Sequence, residues 1–368
     1  MNLANIEKLF ETWAPRWTAW ERDNVGIQIG RRSKRVSNIL VALDVTPEIV
    51  REAIATKADL IVTHHPLLFR PASSVSDADP VGALVLMLAE KRIALFSAHT
   101  NLDSAVGGVS FTLAGELGID KPAFLVPLKD TLMKVAVFVP EQHADVVATA
   151  MAEGGAGVLG EYRSCSFRTT GKGTFRSSEY SSPTIGKPLQ LETVDEVRLE
   201  MIVPRSCVTA VVAAMKSAHP YEEVAYDLYT LENGNPNFGM GAIGNLSKPM
   251  TVRAFLAHVK KKLHVGSLRF SGSPAQTVQR IAVCGGSGSE LLEDAIRAKA
   301  DVFVTADVRY HGFQSADNRI ILVDAGHYET EHVVLNSIVG HLRSWAKSRG
   351  ENLVVTKSKQ STNPIHVF

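Results

Sequence analysis

The sequence predicts an α/β protein built from two pseudo-symmetric halves, with an inserted ferredoxin-like α+β domain. Residues Ile39 to Thr63 (ILVALDVTPEIVREAIATKADLIVT) reappear as Ile281 to Thr305 (IAVCGGSGSELLEDAIRAKADVFVT), each an apolar strand, a helix, Lys-Ala-Asp and a second apolar strand. Around both copies, apolar runs of strand length alternate with helical periodicity, the rhythm of a mainly parallel sheet covered by helices. Between them, Lys134 to Pro140 (KVAVFVP) and Arg198 to Pro204 (RLEMIVP) each lead into an alanine-rich helix, a second echo inside the first. A chain of 368 residues exceeds one ordinary core. The expected division is 1–130 for the first half, 131–232 for the insert and 233–368 for the second half.

The first half opens on an amphipathic helix with Ile6, Leu9, Phe10 and Trp13 at helical spacing, and DNVGIQIG follows as a turn and an extended segment. Strands at 38–43 and 59–63 flank a helix across 47–57. Helical spacing returns at 81–90, and IALFSAH supplies the next buried strand. The insert reads as strand, helix, two strands near 160–192, the 198–204 strand, helix and a final strand VAYDLYTL, a split βαβ pattern. Within it, GKGTFRSSEYSSPTIGKP is a polar loop or hairpin tip. The stretch NGNPNFGMGAIG forms a turn-rich return crossing, after which come the 281 strand, strands at 301–305 and 320–323, and a helix after Tyr328.

With 45% hydrophobic and 21% charged residues and a formal charge of +1, the chain has the composition of a soluble globular protein without an electrostatic footprint for nucleic acid or anionic membrane. Its first residues, MNLANIEKLFETWAP, contain no uninterrupted apolar stretch, so a cytoplasmic protein is expected. Three scattered cysteines, Cys165, Cys207 and Cys284, argue against a thiolate metal cluster and read as small buried hydrophobes.

Histidines and carboxylates at strand ends carry the chemistry. THHPLLF sets His64 and His65 at the C-terminal end of a buried strand, where open α/β sheets bind ligands, and ahead of Pro66 the backbone can turn both imidazoles toward one cavity. A pair of hydrogen-bonded histidines is the plain alternative. IALFSAH ends similarly, with Asp103 just beyond it. In AGHYETEHV, His327 and Glu331 are four apart, on one face if the segment is helical. Aligning Ser97-Ala98-His99 with Ala325-Gly326-His327 makes Asp103 and Glu331 equivalent, although singly each also reads as a turn, cap or solvated carboxylate. Three imidazoles and two carboxylates without thiolate suit zinc, iron, manganese, cobalt or nickel. The arrangement expected is one ion on His64 and His327, another on His65 and Asp103, with Glu331 bridging and open positions left for water. Asp307, His99 and His311 are further candidates for the same cavity, holding ligands or moving protons. The CGGSGSE turn reads as a phosphate cradle or a simple tight turn, Lys260-Lys261-Lys262 as a solvated basic run, and His219 with Glu222-Glu223 as a helix end.

Taken together, DNVGIQIG, DLIVTHHPLLF, SAHTNLDSAVGGV, AVCGGSGSELLEDA, ADVFVTADVRYH and GHYETE resemble the Nif-three-like proteins, a dinuclear-metal-centre family often labelled GTP cyclohydrolase 1 type 2 homologues. The resemblance covers about 1 to 130 and 233 to 368. It implies two divalent ions per subunit, zinc, iron or manganese, on His64, His65, Asp103, His327 and Glu331. It also implies a toroidal homohexamer with its metal centres facing an internal cavity. The insert resembles the CutA or P-two-like domain of longer bacterial members, which typically trimerises. The leading functional expectation is a metal-dependent hydrolase with a metal-activated water, acting on a small-molecule or nucleotide substrate, with no catalytic residue assigned. The alternatives are a metal-handling or metal-insertion protein, or a hexameric interaction adaptor.

Overall fold

The internal echo is the organising feature of the computed structural model, which describes residues 1–366. The chain divides into two units, one formed by Met1–Val126 with the chain from Asn237 onward, the other by Pro127–Pro236. The larger unit contains two sheets. The first runs Gly26–Ile29, Ala94–Ser97, Leu60–Thr63, Asn38–Ala42, Val354–Lys357, parallel throughout except for the antiparallel Gly26–Ile29 edge. The second runs Arg269–Phe270, Ile321–Asp324, Val302–Ala306, Thr277–Ser287, Gly239–Thr251, Ile119–Pro127. Its three inner strands from Thr277 to Asp324 are parallel, and Arg269–Phe270 is again an antiparallel edge.

The repeated Lys-Ala-Asp has a structural reason. Asp59 Oδ2 accepts the Ser37 and Asn38 amides at 2.8 and 3.1 Å, and Asp301 Oδ2 accepts the Gln279 and Arg280 amides at 2.8 Å each. Each aspartate ties the start of its own strand to the start of the preceding one. The lysines before them turn the chain in the left-handed region, at φ 55° and 56°. Equivalence persists to the far ends, where Ala98 N–H donates to Thr63 O and Ala325 N–H to Thr305 O, both at 2.9 Å. That register pairs Ser97 with Thr63 and Asp324 with Thr305, so Ala98 corresponds to Ala325 and His99 to Gly326. The alignment read from sequence is therefore one residue out, and Asp103 corresponds to Thr330 rather than Glu331.

The parallel strands read as unbroken apolar runs because both faces are covered. Val41, Val62 and Phe96 pack under helices Leu3–Trp13 and Val334–Ser348, while Leu40, Ile61 and Leu95 meet Pro47–Ala55 and Pro80–Glu90 on the other side. Asn2 and Asn5 close a reciprocal cap on the first helix, and Asp79 caps the Pro80–Glu90 helix. In the second sheet, Val283, Val304 and Val323 face Phe255 and Val259 of helix Val252–Lys262, and Phe303 and Leu322 join Leu292 and Ala295.

In the smaller unit the strand order is Phe167–Arg176, Leu191–Pro204, Leu132–Pro140, Tyr226–Thr230, with every pair antiparallel. Helices Ala144–Glu153 and Val208–Ala218 cover one face, with Val147, Met151, Val211 and Met215 on Val135, Val137, Leu199 and Met201. This is the ferredoxin-like split βαβ arrangement. One expectation changes: the second of the two strands near 160–192 is not separate but continues as Leu191–Pro204, paired along its length. Among the described residues no helix is long and apolar enough to cross a membrane.

Candidate metal centre

Three strand ends of the larger unit deliver the candidate residues. Leu60–Thr63 runs into His64-His65, Ala94–Ser97 into His99 and the short helix Thr100–Asp103, and Ile321–Asp324 into Gly326 and the helix His327–Glu331. Side-chain hydroxyls hold the first turn, with Thr63 Oγ1 donating to His65 O and Ser97 Oγ to His64 O, both at 2.8 Å. Gly326, at φ 86°, swings the chain so that His327 and Glu331 share one face of their helical turn.

Every imidazole here is oriented from behind. His65 Nδ1 meets Asp44 Oδ1 at 2.7 Å, His327 Nδ1 meets Asp307 Oδ2 at 2.7 Å, His99 Nδ1 meets Asp23 at 2.9 Å, and His64 Nδ1 meets the Ala98 carbonyl at 2.8 Å. Donating the Nδ1 proton to an oxygen fixes the tautomer and leaves Nε2 as a lone pair aimed forward. The His64, His65 and His99 rings lie 5.0 to 5.5 Å apart between centroids, and His65 is 5.5 Å from His327.

Glu331, buried, sits where these lone pairs converge. Its Oε2 is 2.9 Å from His65 Nε2 and 3.1 Å from His327 Nε2, and its Oε1 is 3.8 Å from His64 Nε2, which lies 3.5 Å from Asp103 Oδ1. Despite these short separations, His64 Nε2, Asp103 Oδ1 and Glu331 Oε2 are buried without a hydrogen-bond partner. With the imidazoles neutral, lone pair would face lone pair, so the arrangement requires positive charge between them, from protons on the imidazoles or from a bound cation. Two donor atoms each about 2.1 Å from one ion stand roughly 3.0 to 3.4 Å apart across octahedral to tetrahedral angles, and most of the observed separations fall in or near that range. Residues His64, His65 and His99, and residues His65, His327 and Glu331, each bring donor atoms within 4.8 Å of one another. The residues therefore fit a divalent cation.

Proton affinities carry the same message. Burial pulls the His65 imidazole down, but Asp44 and Glu331 lift it to about 10. Glu331 and then Asp307 raise His327 to about 9 against its burial. His64, opposed by burial, is also raised by Asp103 and Glu331. Burial alone would push the Glu331 carboxyl up, yet His327, His64 and His65 hold it well below the ordinary carboxylate range. Asp103 goes the other way, raised by burial with His64 only partly compensating.

Asp103 thus pairs with His64, and His327 with His65, the reverse of the pairing read from sequence. The reason is local: His64 is pinned to Ala98 beside the Asp103 helix, whereas His65 is turned by Asp44 toward the His327–Glu331 turn. Asp307 is indeed at the site, at the back of His327. His311 is not, for it is exposed on helix Tyr310–Ala316 and meets Gln314. Asp44 and Asp23 went unread because each lies far along the chain from the imidazole it holds, although both end or precede strands of the same sheet.

The CGGSGSE segment is neither a tight turn nor a phosphate cradle: its first four residues finish the Thr277–Ser287 strand, with an irregular register between Val283 and Ser287, and its last two begin the short helix Ser289–Leu291. Gly286 N–H is spent on Thr330 Oγ1 at 2.9 Å, and a Cβ at Gly286 would stand 2.1 Å from Glu331 Oε1. Cys284 is partly exposed and lines the cavity, its thiol kept protonated by burial and by the Asp103 and Glu290 charges. The cavity in front of the centre has a volume of about 420 Å³ and is walled by Trp20, Met240, Leu291, Ser110 and Glu290 together with the site residues.

A duplicated α/β scaffold that gathers imidazoles and carboxylates at the ends of matched parallel strands defines a class of candidate metal-centre proteins. The chain belongs to the Duf34/NIF3 family (NGG1p interacting factor 3), whose profile matches residues 1–364. It is 38% identical over 367 residues to the GTP cyclohydrolase 1 type 2 homolog of Bacillus subtilis, covering 99% of this chain and 98% of that one. Its identity to the protein of the same name from Halalkalibacterium halodurans is 39% over 370 residues, 99% of each chain. Among solved structures, the Bacillus cereus protein related to NIF3 matches with a TM-score of 0.86 at 38% identity, over 100% of this chain and 99% of that one.

Proposed function

We propose that this protein is a metal-dependent hydrolase, with two divalent cations held by His64, His65, Asp103, His327 and Glu331 and with Glu331 shared between them. The observation that carries the reading is the convergence of oriented imidazole lone pairs on a buried carboxylate whose Oε2 has no partner. When bound, the cations would acidify a water and polarise the bond it attacks. Asp44, Asp307 and the Ala98 carbonyl keep the ligand rings in register for that task. His99, backed by Asp23 at 2.9 Å, keeps its Nε2 at the cavity and serves as the group that takes up and returns a proton. Trp20, Met240 and Leu291 give the cavity an apolar part to its lining.

Among the described residues, no lysine or arginine lines this cavity, and Glu290 adds a negative charge. A nucleoside triphosphate would find no protein cation for its phosphates. A cyclic amide or ester of low charge suits the lining better, and of what the relatives' cyclohydrolase name describes, only the reaction type, hydrolysis at a ring carbon, carries over to this site. The test is direct. Protein stripped of metal and reloaded with zinc, manganese or iron is assayed on nucleotides, cyclic amides and esters, with bound metal counted by elemental analysis. Turnover that disappears in His65→Ala, with about two ions per chain in the parent, supports the reading. Undiminished turnover in His65→Ala removes the centre from the mechanism. Rapid delivery of metal to an apo acceptor without turnover would mean metal handling instead.

A further inference from the structure

The smaller unit has a cavity of its own, about 520 Å³, lined by Phe138, Phe175, Tyr221, Glu196, Glu222 and Glu223 and walled on one side by the segment 177–185. That segment is latched in place: Ser182 N–H donates to Glu222 Oε1 at 3.2 Å and the Thr184 hydroxyl to the Pro220 carbonyl at 2.8 Å. His219 shapes the turn beneath, with Nε2 on the Phe138 carbonyl at 3.0 Å and Nδ1 accepting the Tyr221 amide at 3.1 Å. The partly buried Glu196 lies across Gly173, where a Cβ would come 2.0 Å from its Oε2, and the Tyr221 hydroxyl donates to its Oε1 at 3.1 Å. The Phe175 and Tyr221 rings stand 6.3 Å apart, tilted by 57°.

Charge is unbalanced in this cavity. Among the described residues its one cationic side chain, Lys172, is paired with Asp195 at 2.8 Å. Among the described residues, no lysine, arginine or histidine forms an ion pair with Glu196, Glu222 or Glu223. The three carboxylates do not converge as metal ligands do, since among the described residues the sets of three or more donors close enough for one ion all lie at the centre described above. Carboxylates spread over an aromatic-walled pocket suit a cation with a body, which gains charge-assisted hydrogen bonds at one end and ring faces along its length.

We propose that this cavity is a second ligand site, for a small organic cation of the amine or guanidinium class, held by Glu196 and Glu222 against Phe175 and Tyr221. Agmatine, which carries both groups, is the probe, titrated calorimetrically into the full-length chain, with succinate and inorganic phosphate as anionic controls. One agmatine per chain binds with a submillimolar Kd, and neither anion does. Glu196→Gln or Glu222→Gln weakens binding roughly tenfold and Phe175→Ala severalfold, with circular dichroism and melting temperature in the absence of ligand unchanged. His65→Ala binds agmatine as the parent does, which separates this site from the metal centre. Absence of agmatine binding up to about 10 mM overturns the proposal. So does undiminished affinity in both glutamine variants, or binding of succinate in agmatine's stead.

Discussion

At the scale of single residues, the centre is governed less by its candidate ligands than by what stands behind them. Asp44 and Asp307 accept the Nδ1 protons of His65 and His327 at 2.7 Å each, and both could be lost without removing any ligand atom. Asp44→Asn is expected to weaken metal binding about 10- to 100-fold while the ligand set stays complete, as read by competition with a chromogenic chelator. Affinity equal to the parent's would mean that the imidazole is oriented by packing alone. Protonation gives a second prediction. In the metal-free protein His65 is held at about 10 and His327 at about 9, both above the ordinary 6.5. Their protonated forms therefore stabilise the apo fold fully below about 6.5, and that contribution is lost as pH rises through 9 to 10. Cations held at the site would compete with those same protons for Nε2, so metal uptake near neutrality should release protons and tighten as pH rises. Calorimetric titration in two buffers of different ionisation enthalpy reads the release, and a buffer-independent enthalpy would contradict it. Gly286 supplies the third. Because a Cβ there would meet Glu331 Oε1 at 2.1 Å and the backbone sits at φ 63°, Gly286→Ala should displace the Glu331 carboxylate. Bound metal should fall in elemental analysis while the circular dichroism spectrum persists, and full metal loading in this variant would show that Glu331 has room to move aside.

At the scale of elements, the duplicated strand-helix-strand unit is held by the same device twice. Asp59 and Asp301 each join the starts of two neighbouring parallel strands by accepting two amides with one oxygen. Asp301→Ala strands both amides at a partly exposed edge and is expected to cost about 1 to 3 kcal/mol, measured by urea denaturation; a loss below about 0.5 kcal/mol would mean that water replaces the carboxylate without penalty. That pair also explains why so much of the fold was legible. Lys-Ala-Asp is a local motif with a local purpose, and strands buried on both faces declare themselves as apolar runs such as LIVT and VFVT. What was hidden lacked such a signal. Residues 191–196 alternate exposed and half-buried positions without an apolar run, and 191–195 are held by Phe167–Arg176 on one side, so their continuity with the 197–204 strand depends on a partner that no local pattern reports. His64, His65, Asp103, His327 and Glu331 were legible as a set because each follows a recognisable strand end. Their grouping was not, because it turns on Gly326 and on a register one residue different from the sequence alignment. Asp23 and Asp44 are joined to their histidines only through the fold.

At the scale of the whole molecule, duplication sets what metal binding should do to the fold. His64, His65 and Asp103 come from the first sheet and its connections, whereas His327 and Glu331 follow the second, so a cation bonded to both sets links the repeats of the larger unit. Binding to the folded state alone stabilises by an amount that grows with the ratio of free metal to Kd, about 2.7 kcal/mol at a hundredfold excess. Because His64 Nε2, Asp103 Oδ1 and Glu331 Oε2 are already buried without partners, a bound cation would also relieve a polar group from each side of the junction. Protection from hydrogen exchange should therefore rise together at Leu60–Thr63 and Ala94–Ser97 in one sheet and at Val302–Ala306 and Ile321–Asp324 in the other. The Leu132–Pro140 and Leu191–Pro204 strands of the smaller unit, which contribute no candidate ligand, serve as the internal reference. His64→Ala and Glu331→Gln, taken from opposite repeats, should each abolish the protection in both sheets, because either change leaves the bridge with one anchored end. Metal-induced protection confined to the repeat whose ligands remain would show that the ions are held by one half alone, and that the two copies do not need each other to make the centre.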